Sequence, residues 1–359
     1  MGDFMRETYN LPRTRSGQRI TMRDIADAAQ VSVSTVSRVL NNNEGISQSV
    51  REHVLAAARG MGCEFELPRY RGDNQLTRIH LFISTHMTSD SFHSDVVAGI
   101  EEECRRNGVQ LSYTVTPPGK EGEMLAMEQV KRHREDGLIF VSQDNRTFLE
   151  DVAKLNFRIV LINAEHEGLP IDLFVHDNWS GVLEAMNHLI AHGHRSILHL
   201  TGAPQRSTLH RRHQAYRTAL ETAGIVYDPR LVVHMNISLE EAYQWMKEYL
   251  ESQRPQFTAI FCTNDYCAIG AMRALQEANI RIPEDISVVG YGDNPMAAFA
   301  VPPLTSVHIE RGEVGRMAAR RLIERAASPQ LSPIHVRLYA RFISRQSVGT
   351  PGISSLSVE

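Results

Sequence analysis

The chain has 359 residues, 42% of them hydrophobic, and carries 38 Lys plus Arg against 42 Asp plus Glu for a formal net charge of -4. That length exceeds one small helical domain and leaves room for one or two larger units with a sizeable core. The net negative balance excludes a general nucleic-acid coat protein, so any DNA contact must rest on local positive charge. No stretch approaches the ~20 apolar residues of a membrane-spanning helix. Met1–Gln18 lacks the apolar core and small-residue cleavage site of a signal peptide, so a cytoplasmic location is expected. The four cysteines, Cys63, Cys104, Cys262 and Cys267, are scattered. They read as reduced, mostly buried thiols, with no second pair to complete a metal site.

The first residues carry Arg6, Arg13, Arg15, Arg19 and Arg23, which fits a solvated tail and a DNA-contacting arm equally. Thr21-x-x-Asp24 then resembles a capping box. Met22, Ile25, Ala26 and Ala29 follow at i, i+3, i+4, i+7 and predict one apolar helical face. After a break at Gln30–Ser32, Ser32 is placed to cap a second helix. Its Val33, Val36 and Leu40 are expected inward, leaving Ser34, Thr35, Ser37, Arg38 and Asn41 outside. Small hydroxyls, one guanidinium and an amide suit phosphates and base edges, so Thr21–Asn42 reads as a helix-turn-helix for the DNA major groove. A third helix from Ser47 buries Val50, Val54, Ala57 and Met61.

Glu64–Asn74 is polar, with Pro68 and Gly72, and reads as a linker. From there short apolar strands alternate with amphipathic helices. The strands are Ile79–Ile83, Val109–Val115, Leu138–Val141 and Ile159–Ile162, and the intervening helices Val96–Asn107, Met124–Arg134 and Phe148–Leu155. After Asp177 the rhythm restarts, with strands at Ile197–Leu200, Leu231–His234, Ala259–Cys262 and Ile286–Gly290. The helices of this second half are Ser180–His192, Arg212–Ala223, Leu239–Ser252 and Ala268–Ala278. Two successive doubly wound parallel sheets imply two α/β lobes with a ligand cleft beyond the strand carboxyl ends.

Asp24-Ile25-Ala26, Val31-Ser32 and Ser34–Asn41 (STVSRVLN) resemble the headpiece of the lactose-repressor (LacI) family of bacterial transcription regulators almost residue for residue. Val175–Gly202, Ala259–Asp293 and Pro302–Val307 are similar to three further blocks of that family, so the resemblance spans nearly the whole chain. It implies a small all-α headpiece joined to a two-lobed core like that of periplasmic sugar-binding proteins. The implied division is an arm over 1–19, a DNA-binding domain over 20–64, a hinge over 65–76, a core over 77–348 and a tail over 349–359. The N-lobe would take about 77–176 plus 308–335, and the C-lobe about 177–307 plus 336–348.

By the family pattern, Val33, Ser34 and Arg38 fall where bases are read. Arginine can give two hydrogen bonds to guanine O6 and N7. Ser32, Thr35, Ser37 and Asn41 fall where phosphates are held; the lesser alternative is a cap or solvated hydroxyl for each serine and a surface ion-pair partner for Arg38. The hinge departs from the pattern. Gly72 stands where relatives insert a leucine into the minor groove, and Pro68 forbids a regular interior helical turn. Leu67, Arg69, Tyr70 and Arg71 are left as candidates for that groove.

For the effector, the resemblance points to Phe92 and His93 after the first strand, then Asn163, Arg212, Asn264 and Asp293 at later loops. An aromatic face beside polar groups suits a sugar ring. Gly292 stands where many members have an acid, and Asn163 where some sugar-binding relatives have one. Arg206–His213, read as a loop, is rich in cations. These departures favour a sugar acid or phosphosugar over a neutral sugar, unless the cations are only a solvated face. His192-Gly193-His194 sits in a turn of the family pattern and reads as structural rather than metal-binding. No catalytic constellation, cofactor site or metal site emerges.

The resulting expectation is a homodimeric, effector-controlled DNA-binding regulator, a repressor acting on double-stranded operator DNA. A ligand-activated or corepressor-dependent regulator is the near alternative. A solute-binding protein without a DNA role and an enzyme on an α/β scaffold are the remote ones. The tail lacks leucine heptads, which argues against tetramers built through it.

Overall fold

The computed structural model describes residues 20–40, 46–61, 76–84, 91–132, 137–155, 157–166 and 168–351. They belong to two compact units that divide between Asp73 and Asn74. The arm, Asn41, the hinge candidates Leu67–Gly72, Cys63 and the last eight residues lie outside the described residues.

The first unit is three helices, α1 (Met22–Ala28), α2 (Val33–Leu40) and α3 (Gln48–Gly60). A full capping box starts α1: Asp24 Oδ2 accepts from the Thr21 N–H at 2.7 Å, and Thr21 Oγ1 accepts from the Asp24 N–H at 3.3 Å. Gln30 takes φ 48° in the turn between α1 and α2. Ile20, Ile25, Ala26, Ala29, Val36, Val39, Val54 and Ala58 form the core. Val33 is 44% exposed rather than inward, and Val39 takes a buried place instead. Val33 opens α2 and projects past the packing against α1, whereas Val36 and Val39 are one turn apart on the face that meets the other helices.

The second unit holds two parallel sheets. The first contains β1 (Arg78–Ser84), β2 (Gln110–Thr116), β3 (Gly137–Val141), β4 (Arg158–Ile162), β5 (Asp172–His176) and β11 (His335–Leu338), in the order β2-β1-β3-β4-β5-β11. The second contains β6 (Ile197–Thr201), β7 (Val232–His234), β8 (Ala259–Cys262) and β9 (Ser287–Val289), in the order β7-β6-β8-β9. An antiparallel pair joins β10 (Ser306–His308) to β12 (Arg341–Ile343). Strands β3 and β5 are buried at every position, as strands covered on both faces must be. The sixth strand joins the N-lobe by pairing with β5. That lobe therefore extends to Leu338, beyond the 335 expected, and the chain recrosses at Tyr339–Ala340.

Helices α4 (Ser91–Asn107), α5 (Gly119–Arg132), α6 (Arg146–Ala153) and α12 (Arg311–Ala327) accompany the first sheet. Helices α7 (Asn178–Ala191), α8 (Ser207–Thr222), α9 (Leu239–Ser252), α10 (Asp265–Glu277) and α11 (Pro295–Phe299) accompany the second. α12 lies so close to α4 that a Cβ on Gly315 would sit 2.2 Å from the Val96 carbonyl oxygen. The same helix is clamped to the sheet by Asp172. This fully buried carboxylate accepts from Arg321 Nε at 2.9 Å, Arg325 Nη1 at 2.8 Å and the Ile334 N–H at 3.0 Å.

Both sheets reverse their winding, between β1 and β3 and between β6 and β8. Ligand crevices of doubly wound sheets form at such points. Cys104, Cys262 and Cys267 are buried free thiols. Among the described residues no helix is long and apolar enough to cross a membrane.

Candidate DNA-binding face and interlobe cleft

Ser32 caps α2. Its Oγ accepts from the Thr35 N–H at 3.0 Å and shares hydrogen bonds with Ser34 Oγ at 2.7 Å and Thr35 Oγ1 at 2.8 Å. Val33, Ser34 and Arg38 are exposed, while Thr35 and Ser37 are half-buried. Ser34 and Arg38 are four residues apart and share one helical stripe, with Val33 beside it. The result is a solvent-facing surface with Ser32, Val33 and Ser34 at the N-terminal end of α2, whose amides favour anions, and the Arg38 guanidinium in its last turn.

In the second unit a cavity of about 540 Å³ opens between the lobes. Ser84, Thr116 and Ser142 from the first lobe border it, with Gly202, Met235 and Asn264 from the second. These residues stand at or just beyond the carboxyl ends of β1, β2, β3, β6, β7 and β8. A second space of about 40 Å³ adjoins it through Arg206, Leu209, Ile237 and Asn264, and is bordered further by Phe92, Asn163 and Arg212. Four of the six effector residues expected from sequence are thus brought together.

His93 and Asp293 border neither space. Phe92 and His93 belong to the first turn of α4 rather than to a loop. His93 is buried, edge-on to the Phe92 ring at 5.3 Å. Asp293 turns to Arg345 Nη2 at 2.7 Å and His308 Nδ1 at 3.0 Å.

The acid beside the void is Asp265, at 2% exposure. Burial pushes its carboxyl up to about 6, against the opposing effect of hydrogen bonds from Ser306 Oγ at 2.5 Å and the Asn294 N–H at 2.5 Å. The family spacing pointed to its neighbour Asn264, and nothing in the sequence marks Asp265 as a buried acid. In the fold it packs so closely on Gly290 that a Cβ there would come within 2.3 Å of Asp265 Oδ1.

Arg212 donates through Nε to Asn178 Oδ1 at 2.8 Å and through Nη1 to the Thr263 carbonyl at 2.6 Å. Its guanidinium lies 3.7 Å from the Tyr291 ring centroid, a cation–π contact that holds it flat. Asn163 adopts φ 58° and donates through Nδ2 to Ser142 Oγ at 2.8 Å. Arg311 reaches the Gly292 carbonyl and lies 3.4 Å from Asp95.

The cation-rich segment Arg206–His213 is the start of helix α8, not a loop. Helical rotation sends Arg211 onto the Trp179 ring at 4.5 Å and His213 toward Tyr227. His210 is exposed beside Gln214. Only Arg206 and Arg212 of this group border the cleft. Arg311, from outside the segment, joins them beside the smaller space.

The lobes also touch directly. α8 has no side-chain cap from its own N-terminal residue, Arg206. Asp144, from the loop after β3 in the other lobe, supplies it. Asp144 Oδ1 accepts from the Ser207 N–H at 2.9 Å and from Ser207 Oγ at 2.6 Å. Ser207 Oγ accepts in turn from the Glu165 N–H at 2.8 Å.

His194 is structural: Nδ1 meets Thr258 Oγ1 at 2.9 Å, and Nε2 meets Ser287 Oγ and the Gly349 carbonyl, each at 2.9 Å. No cluster of three metal-ligating side chains occurs among the described residues.

Comparison with known proteins places these two sites in context. Residues 21–62 match the model for bacterial regulatory proteins of the lacI family, and residues 186–348 match that for periplasmic binding protein-like domains. The ribose operon repressor of Haemophilus influenzae is 30% identical over 332 residues, covering 91% of this chain and 98% of that protein. The HTH-type transcriptional regulator DegA of Bacillus subtilis is 30% identical, covering 83% of this chain and 88% of that protein. Among solved structures, the transcriptional regulator CelR–cellobiose complex is 29% identical with a TM-score of 0.68, covering 92% of this chain and all of that one. The Lac repressor dimer bound to operator shares the fold, with a TM-score of 0.73 at 23% identity and coverage of 92% of this chain and 99% of that one.

Proposed function

Because the chain belongs to the LacI family of DNA-binding transcriptional regulators, we propose that it represses genes of carbohydrate or sugar-acid metabolism. In this reading it binds operator DNA as a homodimer in the cytoplasm and is controlled by a small molecule held between its lobes. The observation that carries the reading is the pairing of an exposed, hydroxyl-bearing recognition helix with a cavity of about 540 Å³ at two winding reversals. That volume is in the range of small-molecule sites.

On DNA, α2 lies in the major groove. Arg38 reads a base, guanine by its geometry, and Val33 and Ser34 touch neighbouring base edges. Thr35, Ser37 and the capped N-terminus around Ser32 face phosphates, with Asn41 assigned there by sequence pattern alone. Repression is favoured over activation by the named relatives, among them a ribose operon repressor and several PurR repressors. Dimerisation is supported by apolar side chains left in solvent. They are Phe299 at 85% and Val301 at 76% exposure in one lobe, and Tyr113 at 64% on the edge strand β2 of the other.

In the cleft, Phe92, Asn163, Arg212 and Asn264 belong to the effector site, while His93 and Asp293 support it from behind. The effector acts by changing the balance between open and closed lobes, because a ligand shifts an equilibrium only through its different affinity for the two states. Relatives fit a carbohydrate effector: one is a cellobiose complex, another holds bound ribose.

The test is fluorescence anisotropy on duplexes from upstream of the protein's own gene, with and without neutral sugars, sugar acids and phosphosugars. Tight, salt-sensitive binding released by one compound is the expected result. Binding that appears only with a compound present would make the protein a corepressor-dependent regulator. Absence of specific binding under every condition would overturn the reading.

A further inference from the structure

Three imidazoles from three elements of the second lobe meet in one stack. His199 stands on β6, His213 on α8 and His234 at the end of β7. The His199 and His213 rings lie 5.6 Å apart and 8° from parallel, and His213 is 6.3 Å from His234. Tyr216 and Phe261 stack on His199 at 4.8 and 5.0 Å, and Tyr227 meets His213 edge-on at 6.0 Å.

We propose that this stack is a proton-operated catch. While neutral it holds α8 to β6 and β7, and proton uptake releases that edge of the lobe together with the cleft residues Gly202 and Leu209. Control of the effector by this route rests on the reading of the cleft as the effector site, whereas the proton-driven opening does not.

The stack has no place for a charge. His199 is wholly buried, its Nδ1 donates to the Phe261 carbonyl at 3.1 Å, and its Nε2 is buried without a partner. Nδ1 of His213 is buried without a partner as well, and its Nε2 has only the Tyr227 hydroxyl, at 3.5 Å. An imidazolium donates from both nitrogens, and a buried donor left unpaired costs about 1–3 kcal/mol, more when charged.

The surroundings add only positive charge. His210, Arg212 and Arg217 contribute it from α8, and His234 from β7. Among the described residues, His199, His210, His213 and His234 have no carboxylate partner. Glu221 pairs with Arg217 at 3.4 Å, and Asp228 with Arg230 at 2.8 Å. Burial first, and then these cations, hold His199 down to about 3 and His213 to about 4. Each imidazole therefore takes up its proton far more readily once the edge opens to water.

Short contacts carry the release to the cleft. His234 Nδ1 donates to the Gly202 carbonyl at 2.8 Å. Gly202 borders the large cavity, and a Cβ on it would fall 2.6 Å from Leu209 Cδ1 and 3.0 Å from Ile237 Cγ2. Leu209 belongs to α8, one turn before His213, and borders both spaces. When α8 and β7 part from β6, this wall of the cleft moves with them.

The test is hydrogen exchange read by mass spectrometry on the full-length protein without ligand. It is run at about pH 7.5 and about pH 5.5, the range over which a free imidazole changes charge. An imidazole that titrates at about 6.5 in water favours the open edge about tenfold more at the lower pH. With two imidazoles freed, amides of β7 and of α8 around His213 should exchange about a hundredfold faster in wild type, after correction for the intrinsic rate. In His213→Phe, which keeps an aromatic ring and removes the proton, the gain should fall to about tenfold. Strands β3 and β4 of the other lobe are the internal reference and should not follow. Melting temperatures at the higher pH establish that the variants fold. His199→Phe is the second variant and should show the same reduced gain, and His213→Phe alone carries the test if His199→Phe does not fold.

An equal acid response in wild type and His213→Phe would overturn the catch. So would an acceleration that runs evenly through both lobes. Neither result touches the reading of the cleft as the effector site, which the anisotropy experiment tests separately.

Discussion

The contact between Asp144 and Ser207 makes a quantitative prediction about lobe closure. A carboxylate from one lobe caps a helix of the other, with Oδ1 2.9 Å from the Ser207 nitrogen and 2.6 Å from its Oγ. Arg206 Nε adds a weaker attraction at 3.9 Å. Loss of a helix N-cap costs about 0.5–2 kcal/mol. Because this cap comes from across the cleft, Asp144→Ala should leave α8 folded and reduce the closed-to-open ratio by roughly 2- to 30-fold. The assay is a double-mutant cycle with Asp144→Ala, Ser207→Ala and the double variant, read by urea unfolding of the whole protein. Hydrogen exchange at the Ser207 amide provides the local readout. A coupling of about 0.5–1.5 kcal/mol and faster exchange at Ser207 in Asp144→Ala are expected. Additivity within about 0.3 kcal/mol, with unchanged exchange, would refute a trans-lobe cap.

Three further outcomes follow from the same geometry. Arg38→Ala should weaken binding to the preferred operator by about 1–3 kcal/mol and relax the sequence at one base pair, with little change on scrambled DNA. Competition anisotropy measures both. Asp172→Ala should destabilise the core by about 3–5 kcal/mol in urea unfolding, because it strips a buried carboxylate from Arg321 and Arg325. Stability should also fall as pH drops from about 6.5 toward 4. Burial holds His176 down to about 4 and His199 down to about 3 from an ordinary 6.5, so the unfolded chain takes up protons that the fold refuses. His176 alone accounts for about 3 kcal/mol, fully present above pH 6.5. Asp265, raised to about 6, acts in the opposite sense and loses its contribution as pH rises through 6. The two histidines outweigh it, and a pH-independent unfolding midpoint between 4 and 6.5 would contradict that balance.

Much of this architecture was legible because local signals and tertiary demands agree. Apolar runs such as Leu138–Val141 have to be buried on both faces, and Thr21 with Asp24 completes a cap within four residues. The readings that failed depend on longer-range geometry. Val33 and Val39 are both plausible core valines, and only the position of α1 decides between them. Strand β11 pairs with β5 although about 160 residues separate them, and no periodicity records such a partner. In the cleft, family spacing located Phe92, Asn163, Arg212 and Asn264 around one void. It misplaced Asp293, which the β10–β12 region draws away through His308 and Arg345. The cations of Arg206–His213 were read as a loop because their helical rotation was not recognised. Once they are placed on α8, most of them leave the cleft.

The central claim is sequence-specific recognition of DNA through α2 by a two-fold arrangement of chains. Selection of bound duplexes from a randomised pool, followed by sequencing, tests it most directly when wild type and Arg38→Ala are run side by side. The account predicts one enriched, near-palindromic sequence for wild type. It also predicts loss of preference at the symmetry-related base pair of each half-site in Arg38→Ala. Enrichment of no sequence by wild type, or an identical enriched sequence from both proteins, would contradict it.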